Sequence, residues 1–198
     1  MKKTTLLTFA LFILFFIFTG CSNKIMNNKT NSNCEISGKV ILPNNLQIKN
    51  SNLEISYGLI ENVLVDSSGN FCIKKEDLKA ENRKIGTDIS VMMPPKNDKS
   101  WTIIASATIF PEENYIEISS KTTATSLVHT LFIKSDNEEN KNIYDIINST
   151  KETEVFARYL DSKLSSDLYF LNSSELFGSE EYQNHIQKII KSISKKIK

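Results

Sequence analysis

"NLEISYG", Asn52 to Gly58, sets Leu53, Ile55 and Tyr57 on one side of the chain and Asn52, Glu54 and Ser56 on the other. A period of two is the mark of a half-buried β-strand. Further along, "NVLVDSSGNFCI", Asn62 to Ile73, gives two short β-rich runs around Asp66-Ser67-Ser68-Gly69-Asn70. Asp and Ser favour turn initiation, and Gly69 can take the positive φ that such a turn often needs. The two runs are expected to form a hairpin. Working back, "CEISGKVILP", Cys34 to Pro43, is a β-rich run stopped by proline. Working forward, "ISVMM" from Ile89, "WTIIASATIF" from Trp101 and "NYIEIS" from Asn114 are further strand candidates, punctuated by Pro94, Pro95 and Pro111. Short strands separated by turn signals favour a small antiparallel sandwich. Val40, Ile55, Tyr57, Val63, Val65 and Phe71 are its expected inward residues.

After Ile118 the period changes. "ISSKTTATSLVHTLF" offers Ser and Thr caps, then Ala124, Leu127, Val128, Leu131 and Phe132 on one helical face. "SDNEENKN", Ser135 to Asn142, reads as a solvated loop. "STKE", Ser149 to Glu152, is a capping-box pattern. Val155, Phe156, Tyr159, Leu160, Leu164 and Leu168 then form an amphipathic helix, and Ser173, Ser174 and Gly178 mark a break. The last helix carries Tyr182, Ile186, Ile189, Ile190, Ile193 and Ile197 as an apolar stripe. Strands first and helices afterwards define an α+β fold, a small antiparallel β-sandwich followed by a helical C-terminal segment. The boundaries fall at 34–118 for the sandwich and 119–198 for the helices.

"SGKVILP", "LEISYG" and "VLVDSSGNFCI" together resemble the carboxypeptidase regulatory-like, prealbumin-type β-sandwich. Gly38, Val40, Gly58, Asp66, Gly69 and Phe71 fall where that family's pattern places them. The resemblance covers roughly a fifth of the chain, Ser37 to Ile73. It implies a structural or binding role without catalytic residues, and it makes Phe71 a core side chain.

The first residues concern location. Met1-Lys2-Lys3 is a short positive start, and apolar residues run from Leu6 to Phe18 with one interruption at Thr8. That is the layout of an export signal. The run is shorter than the roughly 20 apolar residues that cross a bilayer. Phe18-Thr19-Gly20-Cys21 resembles the lipobox of bacterial lipoproteins, although Phe18 stands where leucine is usual. The resemblance implies cleavage after Gly20 and lipidation of Cys21. Residues 1–20 are then a signal peptide. Residues 21–33, with "SNKIMNNKTNSN", have too little apolar content to order themselves and form a polar tether.

With 24 basic against 23 acidic residues, the composition carries no basic excess for nucleic acid and no acidic tail. The nucleophile elbow, the paired-histidine zinc motif, the phosphate-binding loop and the dinucleotide fingerprint are absent. His129 and His185 are the two histidines, each within a helix and without a local partner. Cys34, Cys72, His129 and His185 lack the close spacing of a zinc site. "NEEN" and "SEEY" do not spell a calcium loop. No cofactor and no catalytic or metal-binding residue is expected.

With Cys21 lipidated, Cys34 and Cys72 are an even pair that invites a disulfide outside the cytoplasm. Lys188, Lys191, Lys195, Lys196 and Lys198 flank the last apolar stripe. They suit a helix C-terminus, and the same composition occurs in helices that lie on anionic membranes. The expected function is non-enzymatic: a lipid-anchored extracytoplasmic protein presenting a binding or assembly surface at a bacterial envelope membrane. Its partners are the membrane, through Cys21, and an envelope protein or polysaccharide. The rival readings are an envelope-polymer hydrolase using His129 or His185, and a carbohydrate- or protein-binding module with an aromatic platform at Trp101 or Tyr115.

Overall fold

A computed structural model describes residues 34–46, 48–58, 60–74, 86–95, 101–133, 137–168, 170–172 and 174–197. The stretches expected to be an export signal and a tether, with Cys21, and also Ser173 and Lys198, lie outside the described residues. The described residues belong to one compact unit.

Seven strands come first: β1 (Cys34–Ile41), β2 (Glu54–Tyr57), β3 (Ile60–Leu64), β4 (Asn70–Lys74), β5 (Thr87–Met93), β6 (Thr102–Ile109) and β7 (Tyr115–Ser119). They form a three-stranded sheet of order β4-β1-β7 and a four-stranded sheet of order β3-β2-β5-β6. Each pairing is antiparallel except β1 with β7, which run parallel. The two sheets share one core. Ile36, Val40, Phe71, Ile73, Ile116 and Ile118 from the first meet Leu53, Ile55, Tyr57, Ile89, Val91 and Ala107 from the second. Of the expected inward residues, Val40, Ile55, Tyr57, Val65 and Phe71 are buried, and Val63 is partly buried against the same core.

The expected hairpin at Asn62–Ile73 is not one. β3 pairs with β2, whereas β4 pairs with β1 in the other sheet. The Asp66–Asn70 turn carries the chain from one sheet to the other. Its local chemistry is as the residues suggest. The Asp66 carboxylate accepts from the backbone N–H of Ser68 and of Asn70, each at 2.8 Å. Gly69 takes φ 87°, left-handed backbone that suits glycine. A turn signal fixes the reversal but not which strand the chain then joins.

Helices follow: α1 (Ser120–His129), α2 (Asn137–Asn148), α3 (Lys151–Ser166), α4 (Ser174–Gly178) and α5 (Glu180–Ile193). α1 begins where β7 ends, with Ser119 and Thr122 forming a reciprocal capping box. α2 corrects the loop expected at Ser135–Asn142 from Asn137 onward; Ser135 and Asp136 lie outside the described residues. Asn140, Ile143, Tyr144 and Ile147 are buried at helical spacing, and the polar start of the helix hides that face from a composition reading. The cap of α3 is Thr150, which accepts from the Thr153 N–H at 3.2 Å, so the cap lies one residue beyond the expected Ser149 and the expected box with Glu152 does not form. Thr150 and Thr153 are both buried, whereas Ser149 is exposed. Leu131 is 58% and Val155 37% exposed, so neither belongs to the apolar face assigned to it. Leu168 lies beyond α3 and packs against the sandwich core.

The helices have a second core of Ala124, Val128, Ile143, Ile147, Phe156, Leu160, Tyr182, Ile186, Ile189 and Ile193. A disulfide joins Cys34 of β1 to Cys72 of β4 across 38 residues. A loop of that length contributes about 4 kcal/mol in the chain-entropy account.

Candidate functional site

The densest group of polar side chains lies where β6 meets the helices. Thr108 of β6 is buried and donates to the Asp88 carboxylate at 2.9 Å. Its Oγ1 also lies 3.0 Å from Ser126 Oγ on α1. The hydroxyl of Tyr144 on α2 meets the Ser126 side chain and the Thr108 backbone. An ionised carboxylate only accepts, so Thr108 spends its proton on Asp88 and must accept from Ser126. The protons then run one way, Ser126 to Thr108 to Asp88, with the Tyr144 hydroxyl against the same Ser126 side chain. Burial pushes the Tyr144 phenol up to about 12, so it stays protonated at neutral pH.

His129 sits one turn beyond Ser126 and is 1% exposed. Its Nε2 lies 3.0 Å from the Asn140 carbonyl. A carbonyl only accepts, so Nε2 carries the proton and Nδ1 is the bare nitrogen. Nδ1 is buried without a hydrogen-bond partner. Burial holds the pKa of His129 below its ordinary value, against the opposing pull of the Asn140 bond and Asp88. The ring packs edge-on against Phe110, at 5.9 Å, and Tyr144, at 5.4 Å. Lys141 lies 5.3 Å over the Phe110 ring and pairs with Glu113 and Asp145, each at 3.2 Å.

This arrangement fastens elements together. Ser126 and His129 share a helix, but each is engaged with another group and both are buried. The chain Asp88-Thr108-Ser126-Tyr144 was not legible in the sequence, because its members come from β5, β6, α1 and α2. The one local hint is Asn140 and Tyr144 four residues apart, and Asn140 falls in the stretch expected to be a loop.

His185 occupies a different place. Its ring stacks on Phe156 at 5.3 Å and 15° and lies 4.8 Å from Tyr159. Tyr182 and Phe177 continue the aromatic cluster. Burial among these rings, then the charge of Lys188, hold the His185 pKa below its ordinary value. Trp101 precedes β6 of one sheet and Tyr115 begins β7 of the other, so the two do not share a strand or sheet; Tyr115 is 51% exposed. Among the described residues there is no group of three or more His, Cys, Asp or Glu that could hold a metal ion. Among them, no helix is long and apolar enough to cross a membrane.

The fold and this junction define the class: an α+β protein whose β-sandwich is closed on one side by helices. Comparison with protein-family models, curated proteins and solved structures finds no match.

Proposed function

We propose that this chain is a lipid-anchored extracytoplasmic protein of a bacterial envelope, presenting a binding or assembly surface rather than catalysing a reaction. The observation that carries the reading is the Cys34–Cys72 disulfide in a chain whose leader ends at Gly20-Cys21. Disulfides persist in oxidising compartments outside the cytoplasm, which is where an export signal would deliver the folded part. With Cys34 and Cys72 paired, Cys21 is the one cysteine left for acylation. Two or three acyl chains give stable anchoring, which one chain does not.

The prealbumin-type resemblance is consistent with this role. Gly38 lies opposite Phe71, and a side chain there would meet the Phe71 ring and the Ile116 carbonyl. Gly58 and Gly69 take positive φ, and Asp66 holds its turn. The motif residues thus serve the fold, as a family without catalytic residues implies.

The test is mass spectrometry of the protein purified from envelope. The N-terminal peptide should begin at Cys21 and carry diacylglyceryl mass, and non-reducing mapping should join Cys34 to Cys72. An unmodified Cys21, or cleavage beyond it, overturns the lipoprotein reading.

A further inference from the structure

α5 presents two opposed faces. Tyr182, Ile186, Ile189 and Ile193 are buried in the helical core. Lys188 and Lys191 lie on the opposite side, exposed, and exposed Lys195 and Lys196 follow just past the Ser194 cap. The apolar stripe is already covered, so α5 has no free apolar face with which to enter a bilayer. What remains is a row of charge. Lys121, Lys141 and Lys163 on the other helices each pair with a carboxylate. Among the described residues, no carboxylate lies in ion-pair distance of Lys188, Lys191, Lys195 or Lys196. Glu152, the carboxylate linked to this half of α5, accepts from Ser192 at 3.0 Å. The helix dipole does not account for the whole row, since its influence fades within the last turn and Lys188 lies before it.

We infer that the lysine row along the second half of α5 and the turn after it docks the folded body face-on against the anionic headgroups of the membrane that holds its anchor. The inference rests on the lipid-anchor reading for its geometry. Ser22 to Asn33 is a stretch of 12 residues. Fully extended, such a stretch reaches about 40 Å. A folded body of this size has a radius of gyration of about 15 Å. The reach therefore matches the width of the body, and any of its faces can meet the bilayer. Tethering also makes docking intramolecular, so a weak electrostatic contact is enough. Each lysine close to an anionic surface strengthens adsorption roughly fivefold, and salt weakens it.

The experiment uses the full mature protein in vesicles of phosphatidylcholine alone and of an equal mixture with phosphatidylglycerol. Lysines are acetylated briefly and located by mass spectrometry, with exposed Lys39 on β1 as the internal reference. Lys188, Lys191, Lys195 and Lys196 should react severalfold more slowly, relative to Lys39, in the anionic vesicles, and high salt should remove the difference. Replacing Lys188, Lys191 and Lys195 by Gln, which keeps the exposed surface polar, should abolish the remaining protection at Lys196. Equal rates in the two vesicles, or protection that survives high salt and the Gln variant, overturn the inference. Failure of the anchor reading is seen separately. A chain with unmodified Cys21 that still binds anionic vesicles in a salt-dependent way leaves the docking face standing without the lipid.

Discussion

Phe71 shows how far a single residue can be read from sequence. Its place in a short β run after a turn marked it as inward, and it is 5% exposed in the shared core. Its ring lies over Gly38, which explains why glycine stands in β1 at that point. Phe71→Ala should cost about 3–5 kcal/mol, read as a lower chemical-unfolding midpoint with unchanged slope. An unchanged midpoint would remove Phe71 from the core. His129 shows the limit. The sequence placed it on a helix but could not show that it is buried against Asn140 and Tyr144, which are remote until α2 folds. Its depressed pKa gives a signed prediction. The unfolded chain takes up a proton near pH 6.5 and the folded one resists it. Stability from this group is therefore complete above about pH 6.5 and declines as pH falls below it. His185 and carboxylates add slopes of their own. His129→Gln keeps a neutral donor for the Asn140 carbonyl and should flatten the fall in melting temperature between about pH 7 and pH 5. The same slope in both proteins would mean that His129 titrates as it does in water.

At the scale of elements, strands with strict alternation were legible, and their partners were not. β2 announced itself by period, whereas β3 and β4 were joined in the reading and are parted in the fold. Partner choice is a non-local matter decided by core packing, so a turn motif cannot carry it. The edge of β6 makes the same point. Among the described residues no further strand pairs with it; side chains from other elements serve instead. Asn172 accepts from the Ile103 N–H at 3.2 Å and donates to its carbonyl at 3.0 Å. Thr123 accepts from the Ser106 N–H at 2.9 Å, and Thr122 and Thr123 donate to its carbonyl at 3.1 Å. An uncovered edge is a template for pairing with another chain. Asn172→Ala should cost about 1 kcal/mol and increase association at high protein concentration, measured by light scattering. A variant that stays monomeric and equally stable would show that water serves the edge as well as Asn172 does.

For the whole molecule, the question is whether the break at Ile118, plain in the sequence as a change of period, separates two folding units. The chain from β7 into α1 has no linker, since Ser119 is both the last residue of β7 and the cap of α1. The outward polar groups of β6 are satisfied from α1 and α2, and Leu168 reaches back to the sandwich core. Without the helices, Thr108 loses Ser126, and the backbone of Ser106 and Ile103 loses Thr122, Thr123 and Asn172. Each of these hydrogen bonds contributes about 0.5–1.5 kcal/mol net, and together they are a large part of the marginal stability of a small domain. The two cores are thus distinct in composition but share one set of hydrogen bonds. Residues 34–119 expressed alone should be insoluble or lack a cooperative thermal transition, while residues 34–198 should unfold in a single step by both far-ultraviolet circular dichroism and Trp101 fluorescence. A soluble 34–119 fragment with a sharp transition of its own would show that the sandwich is autonomous and that the helices are an addition to it.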